Sequence, residues 1–262
     1  MTAPVTVGRD AAVATVTIDR ADRRNALDRE TKVALCQALE DVAADPAVRA
    51  VVLTGAGSSF CVGQDLGEHA AALDEDASTA FATVDEHYNP IVAALATMTK
   101  PVVAAVNGTC VGAGLGFALA CDLRVLAAGA SLCTAFSAIG LTCDSGLSST
   151  LARSVGESRA KELVLLARPF SSEDAVAWGI SGEVVPGEDV LSSAQALAAT
   201  LAAGPTAAYA ASKKALAEAW TMALPEVLRA EGAAQQSLGL TTDHQGAVSA
   251  FLAKQKPTFT GR

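Results

Sequence analysis

The sequence predicts an α/β fold, and three features support that class. Short apolar runs rich in β-branched residues alternate with segments of helical periodicity over residues 12–186. Several of these runs end at glycine, as buried strands that pass into a tight loop often do. From residue 192 onward, alanine-rich helical patterns replace the alternation.

The first elements are a strand, a helix and a strand. Residues 12–20, AVATVTIDR, alternate apolar and polar residues, and residues 49–57, RAVVLTGAG, are a short apolar run; both predict strands. Between them we expect a helix with Asp28 as its N-terminal cap. The apolar residues of this helix at roughly helical spacing are Val33, Leu35, Leu39, Val42 and Ala43.

The alternation continues in the later segments. Residues 100–108, KPVVAAVNG, predict another buried strand, and residues 116–128, GFALACDLRVLAA, predict a helix of small residues that passes into a strand. Residues 172–186, SEDAVAWGISGEVVP, predict a helix that ends at Gly179 and a strand that ends at Pro186. The acidic, weakly patterned residues 70–86 predict a mobile helical loop.

The change in pattern divides the chain. We expect a core at residues 1–191 and a helical region at residues 192–262, which is broken near Gly204 and Pro205.

Composition argues against several classes of function. The longest apolar runs fall well short of the roughly 20 residues of a membrane helix, and the N-terminus lacks a secretory signal, so we expect a cytoplasmic protein. The balance of 19 basic against 28 acidic residues, with 4% aromatic residues, argues against a nucleic-acid surface. The six cysteines form no C-x-x-C pair, so they fit buried packing better than a metal site or disulfides.

Three glycine-bearing loops that follow predicted strands are candidate functional segments: residues 55–69, GAGSSFCVGQDLGEH, residues 107–122, NGTCVGAGLGFALACD, and residues 136–156, FSAIGLTCDSGLSSTLARSVG. The second loop lacks the spacing of a dinucleotide site, because Asp122 follows too soon. Glycines that lead into a helix let main-chain N–H groups approach a ligand that develops negative charge. They could equally serve only to let a helix pack closely on a sheet.

Five stretches together resemble the enoyl-CoA hydratase/isomerase (crotonase) superfamily over nearly the whole chain. They are DRRNALD, VVLTGAGSSFCVGQDL, KPVVAAVNGTCVGAGLGFALACDLRVLA, IGLTCDSGLSSTLARSVGESRAKEL and VSAFLAKQKPTFTGR. The resemblance implies a ClpP-like spiral of β-β-α turns with a C-terminal helical trimerisation region. It also implies an acyl-CoA thioester substrate, with coenzyme A entering only as part of that substrate, and a homotrimer or a dimer of trimers.

The resemblance also implies site residues. The main-chain amides of Gln64 and Ala113 would hold the thioester oxygen as an oxyanion hole. Further substrate-binding positions implied by the match are Ala26, Asp65, Leu66, Gly114 and Phe136. Arg23 and Arg24 would pair with coenzyme A phosphates. Lys254, Lys256 and Phe259 would close the adenine site of the same or a neighbouring subunit.

Departures from the family pattern narrow the expected reaction. Hydratases of this family use two glutamates, and this sequence has Gly116 and Phe136 at the corresponding positions. Asp144 remains, and it aligns with the carboxylate of the isomerase branches. The resemblance is nearest to the branch of 1,2-epoxyphenylacetyl-CoA isomerase, which also moves double bonds in dehydroadipyl-type esters. We therefore expect a double-bond isomerase of acyl-CoA thioesters with Asp144 as its acid/base.

Asp144 has two interpretations. Its apolar neighbours would desolvate the carboxylate and raise its pKa, as a base requires; they are Ile139, Leu141, Cys143 and Leu147. Alternatively, Asp144 caps a helix that starts at Ser145, which would lower the pKa.

Other functions remain open at this point. A hydratase could recruit an acid from elsewhere, such as Glu68, and a non-catalytic acyl-CoA binding protein would need Asp144 only as a cap. The 4-chlorobenzoyl-CoA dehalogenase branch uses the same Asp position as a nucleophile. That branch also needs a Trp-His pair just before the Asp and a His base, and His69, His87 and His244 do not align with them.

Overall fold

The computed structural model describes residues 3–180 and 182–262, so the first two residues of the predicted core and Ser181 lie outside the described residues. Within the described chain the α/β prediction is confirmed. The strands are β1 Val5–Asp10, β2 Val13–Ile18, β3 Ala50–Gly55, β4 Ser59–Cys61, β5 Val102–Val106, β6 Thr109–Val111, β7 Leu123–Ala127, β8 Ser131–Cys133, β9 Phe170–Ser171 and β10 Glu183–Val185.

Helices follow most of these strands. They are α1 Arg29–Ala44, α2 Leu66–Asp76, α3 Asn89–Thr97, α4 Ala113–Ala120, α5 Leu147–Val155, α6 Glu157–Leu166, α7 Ser172–Ala177, α8 Val190–Ala202, α9 Thr206–Glu218, α10 Leu224–Gly239 and α11 Thr242–Leu252. A π-helix covers Val84–Tyr88, and 3₁₀ helices cover Ala21–Arg23, Phe136–Ile139 and Gly187–Asp189. No helix among the described residues is both long enough and apolar enough to cross a bilayer.

The strands form two sheets. The larger has the order β1-β2-β3-β5-β7-β10, and the smaller has the order β4-β6-β8-β9. Three successive turns of chain each give one strand to the larger sheet and the next to the smaller one: β3 and β4, β5 and β6, β7 and β8. The pairings β4–β6 and β6–β8 are parallel, so the loops that follow these strands leave the smaller sheet side by side.

Helix α1 begins where the sequence predicts. The Asp28 carboxylate accepts a hydrogen bond from the Thr31 amide at 2.9 Å and caps the helix. The buried face of α1 is nevertheless rotated from the predicted one, because Val33 is 52% exposed. The residues that α1 buries are Thr31, Lys32, Leu35, Ala38, Leu39 and Val42.

Helix α8 belongs to the core rather than to an appended region. Its small residues Val190, Ala194, Ala198 and Ala202 repeat every fourth position and are buried, and the helix packs against β3, β5 and β7. The domain boundary predicted after residue 191 therefore falls inside a helix that covers the larger sheet. Helices α9, α10 and α11 bury little apolar surface within the chain, and a role for them in trimer formation stays a prediction.

Candidate active site

A cavity of about 570 Å³ opens where the loops after β4, β6 and β8 meet. These loops converge because their strands are neighbours in the smaller sheet. The cavity brings together most of the residues predicted for the site: Arg23, Arg24, Ala26, Gln64, Asp65, Leu66, Ala113, Phe136 and Asp144.

The main-chain amides of Gln64 and Ala113 lie on adjacent loops of the cavity wall. Leu27 and Gln64 form a parallel bridge in which Leu27 N–H donates to Gly63 and Asp65 N–H donates to Leu27, so the Gln64 amide takes no part in it. Ala113 is the first residue of α4, whose leading N–H groups have no partner inside the helix. Among the described residues, nothing accepts a hydrogen bond from either amide.

The two loops are in contact. A Cβ added to Gly63 would lie 3.5 Å from the Ala113 nitrogen. Two free N–H groups on loops in contact, with the positive end of the α4 dipole behind one of them, are suited to bind an oxygen that gains negative charge. An oxyanion hole formed by Gln64 and Ala113, as the resemblance implies, stays a prediction.

Asp144 lies in the cavity wall on the loop between the 3₁₀ helix Phe136–Ile139 and α5. Its side chain is half-buried, and burial raises the pKa of its carboxyl above the usual value, although a hydrogen bond from Ser145 opposes the shift. No cation of the described chain pairs with this carboxylate.

The capping interpretation of Asp144 is wrong. Helix α5 begins at Leu147 with Gly146 as its N-cap, and no side chain caps it. The physical reason is that Ser145 and Gly146 both have positive φ, 53° and 69°, so the helix cannot start directly after Asp144.

The other acids in the cavity wall are already engaged or lie at its mouth. The Asp65 carboxylate caps α2 through the Gly67 and Glu68 amides and pairs with Arg20 at 3.2 Å. Burial would raise the pKa of Asp65, but these donors hold it below its usual value. The Asp22 side chain is 84% exposed.

The two positions that would carry hydratase glutamates cannot act as acids. Phe136 lines the cavity with an apolar ring. Gly116 faces Ser145, and a Cβ added to Gly116 would lie only 2.6 Å from the Ser145 Cβ. A longer side chain at residue 116 would therefore collide with the residue that follows Asp144.

A buried polar network lies behind the Gln64 side chain, and the sequence analysis missed it. Lys32 is 1% exposed, and its ammonium donates to Gln64 Oε1 at 3.3 Å, to Glu68 Oε1 at 3.1 Å and to Thr83 Oγ1 at 2.8 Å. The hydroxyl of Tyr88, which lines the cavity, also donates to Gln64 Oε1. Burial raises the pKa of the Tyr88 phenol, so this hydroxyl keeps its proton.

The surroundings of three further candidate residues, Glu68, His69 and His87, bear on the alternative functions. Glu68, the acid that a divergent hydratase could recruit, is held by Lys32 and by the Arg29 amide at 2.7 Å. His69 lines the cavity with its ring 5.1 Å from that of Phe81, whereas His87 is buried next to Thr83. Burial, and then the charge of Lys32, lower the pKa of His87.

Four predicted residues are not in the cavity wall of this chain. Gly114 packs against the Cys61 carbonyl, where a Cβ would not fit, so it serves close packing of α4. Lys254 and Lys256 are exposed. The Phe259 carbonyl accepts a hydrogen bond from Arg49 at 3.0 Å, which ties this part of the tail to the start of β3. Binding of a neighbouring subunit's adenine by these tail residues stays a prediction.

The arrangement of loops and amides defines the class of protein: a spiral α/β fold with two free main-chain amides where the loops of successive turns meet. The family model described as enoyl-CoA hydratase/isomerase matches residues 8–262. The chain therefore belongs to the enoyl-CoA hydratase/isomerase family, the crotonase superfamily.

Relatives and solved structures agree with this family. The 1,2-epoxyphenylacetyl-CoA isomerase of Escherichia coli (strain K12) is 39% identical over 95% of this chain and 95% of its own. A protein named "Probable enoyl-CoA hydratase" in Rhodobacter capsulatus is 40% identical with the same coverage. A crystal structure described as a "putative Enoyl-CoA hydratase/isomerase from Mycobacterium abscessus" superposes with a TM-score of 0.95 at 48% identity, covering 98% of this chain and 100% of that one.

Proposed function

We propose that this protein is an acyl-CoA thioester double-bond isomerase. The Gln64 and Ala113 amides would hold the thioester oxygen, and Asp144 would take a proton from the carbon next to the thioester. The C–H electron pair then forms the enolate, and Asp144 returns the proton two carbons along, which shifts the double bond. Each preorganised donor would contribute about 2.7–4 kcal/mol of transition-state stabilisation.

One observation carries the proposal: of the acids in the described cavity wall, Asp144 alone is half-buried and free of both cations and main-chain donors. A single base can move one proton between two carbons of the same substrate. Addition of water needs one group to deprotonate water and another to protonate carbon, and the described cavity wall offers no second free carboxylate of this kind.

The rest of the substrate would follow the cavity. Arg23 and Arg24 are exposed at the cavity mouth, where they would pair with coenzyme A phosphates. The similarity to a protein named 1,2-epoxyphenylacetyl-CoA isomerase supports a ring-bearing acyl group from phenylacetate breakdown as the first candidate, with a linear dehydroadipyl-type ester as the second. The reaction itself calls for no metal or redox cofactor, and we place it in the cytoplasm.

The test is an incubation of a 3-enoyl-CoA in heavy water. We expect migration of the double bond with deuterium entering the acyl chain, and formation of a 3-hydroxyacyl-CoA instead would support hydration. Asp144→Asn should lower kcat by about 10²–10⁴-fold. Asp10→Asn, which changes an exposed acid on β1, should leave kcat unchanged. Full turnover by Asp144→Asn would contradict the proposal.

A further inference from the structure

We propose that Ser145 is a positioning residue for Asp144, and that residue 116 is a glycine because Ser145 occupies the space that a side chain there would need. This inference rests on the function proposed above. Ser145 is not in the cavity wall, so it would act on the substrate only through Asp144.

The main chain at Ser145 is held in an unfavourable conformation. Its φ of 53° is in the left-handed region, where residues other than glycine are uncommon, and the residue is 1% exposed. Such a conformation persists only where the surroundings determine it. Helix α4 packs closely against Ser145. A Cβ on Gly116 would lie 2.6 Å from Ser145 Cβ and 2.8 Å from the Ser145 carbonyl oxygen.

This conformation directs the hydroxyl back to the preceding residue. Ser145 Oγ donates to Asp144 Oδ1 at 2.8 Å, and no other described group donates to the Asp144 carboxylate. With Oδ1 held, Oδ2 is the oxygen left to face a substrate. The hydrogen bond thus fixes both the rotamer of the base and the atom that reacts.

The hydroxyl also counteracts the cost of burying the charge. Among the described residues, the Asp144 charge raises the pKa of Cys143 on its own loop and of Tyr88 from the π-helix, and the other titratable side chains of the cavity wall are Asp22, Arg23, Arg24, Asp65 and His69. Helices α3 and α4, NPIVAALAT and AGLGFALA, contain no titratable residue. Ser145 is therefore the group that keeps the carboxylate ionised against desolvation, since a donor stabilises the charged form.

The experiment compares Ser145→Ala, Ser145→Gly and Ser145→Cys in the heavy-water assay. Without the hydroxyl, the acid limb of the kcat/KM profile should move to higher pH by about one unit in the Ala and Gly variants, because the base is protonated over a wider range. Ser145→Cys keeps a weak donor, so its shift should be smaller. Ser145→Gly relieves the positive φ, which keeps a folded test available if Ser145→Ala unfolds.

A second readout is independent of turnover. In protein labelled with ¹³C at the Asp carboxyls, the Asp144 signal is assigned by its loss in Asp144→Asn. The pKa read from the pH dependence of this signal should be higher in Ser145→Ala and Ser145→Gly than in the native protein. An unchanged limb and an unchanged titration in both variants would overturn the role of Ser145, even with Asp144→Asn inactive. An active Asp144→Asn would instead overturn the proposed function.

Discussion

At the scale of single residues, the proposed chemistry depends on a carboxylate whose pKa burial raises. Asp144 is half-buried among apolar neighbours, of which Leu147 is fully buried and Ile139 is 54% exposed at the cavity wall. Desolvation disfavours the charged form, so the pKa rises. The sequence left this direction open, because apolar neighbours would raise the pKa and a helix-capping role would lower it.

The pH dependence follows from that direction. A base must be ionised to accept a proton, so kcat/KM should fall as the pH decreases through the raised pKa of Asp144. We expect the acid limb above the ordinary aspartate value of about 3.9. A profile recorded across acidic buffers of constant ionic strength checks this, and a limb at or below the ordinary value would contradict the assignment.

Gly116 should tolerate no side chain. Gly116→Ala inserts a methyl group 2.6 Å from Ser145 Cβ, and such overpacking costs about 1–3 kcal/mol, which thermal denaturation would detect. Gly232→Ala in α10 is the control, because no atom of the described residues lies within 4 Å of the added Cβ. That change should stabilise the helix by about 0.5–1 kcal/mol. Equal melting temperatures for the Gly116→Ala variant and the native protein would show that the contact is not tight.

At the scale of elements, the existence of helices and strands was more predictable than their faces. The apolar pattern of α1 suggested Val33 as a core residue, yet the buried stripe runs through Lys32, Leu35, Leu39 and Val42. The spacing 32, 35, 39, 42 was readable from the sequence. From the sequence alone, the charge of Lys32 argued against placing it in the core. The structure shows that Gln64, Glu68 and Thr83 accept its hydrogen bonds, which makes its burial possible.

The start of α5 shows a second limit. The sequence of residues 143–147 is compatible with a capped helix, and the local sequence does not predict that Ser145 adopts a positive φ. That conformation is imposed by α4, whose Gly116 comes from a distant part of the sequence. Contacts between elements therefore decided what local propensity left open.

The network behind Gln64 should matter for both stability and turnover. Lys32→Met removes three hydrogen bonds and leaves Glu68 without its cation, which we expect to cost about 1–3 kcal/mol because Glu68 is partly exposed. The variant should also lower kcat more than it raises KM, since it frees the loop that carries the Gln64 amide. Denaturant unfolding and steady-state kinetics measure the two effects.

Lys161→Met is the matched control for Lys32→Met. It removes a lysine from an i,i+4 pair with Glu157 on the surface of α6, where both side chains are well exposed. Such pairs contribute little. Similar losses in the two variants would mean that burial of Lys32 has no special role.

At the scale of the whole molecule, the site is assembled from segments far apart in the chain, and the resemblance located most of them. Their convergence follows from the parallel pairing of β4, β6 and β8. Tyr88 was missed because its role depends on a contact with Gln64, and single residues of a π-helix carry no periodic signal.

The last three helices expose enough apolar surface to predict self-association. Their large exposed apolar residues are Leu216, Leu224, Leu228, Val248, Phe251 and Leu252. A surface of this kind favours an interface between copies of the chain, and we expect sedimentation velocity to show a trimer or a dimer of trimers. The double variant Leu228→Asp, Phe251→Asp should shift the protein toward monomer. Val33→Asp on α1 should not, and an unaltered sedimentation coefficient in the double variant would contradict the assignment.

The contact between Gly116 and Ser145 also constrains how this enzyme can diverge. An acid at residue 116 would have to enter space that Ser145 fills, and a change at Ser145 alone would disturb the base before any new activity exists. The two positions are therefore epistatic, and selection for water addition would need coordinated substitutions in separate loops. Libraries that vary both positions together should recover such activity, whereas substitutions at either position alone should only weaken the proposed isomerase activity.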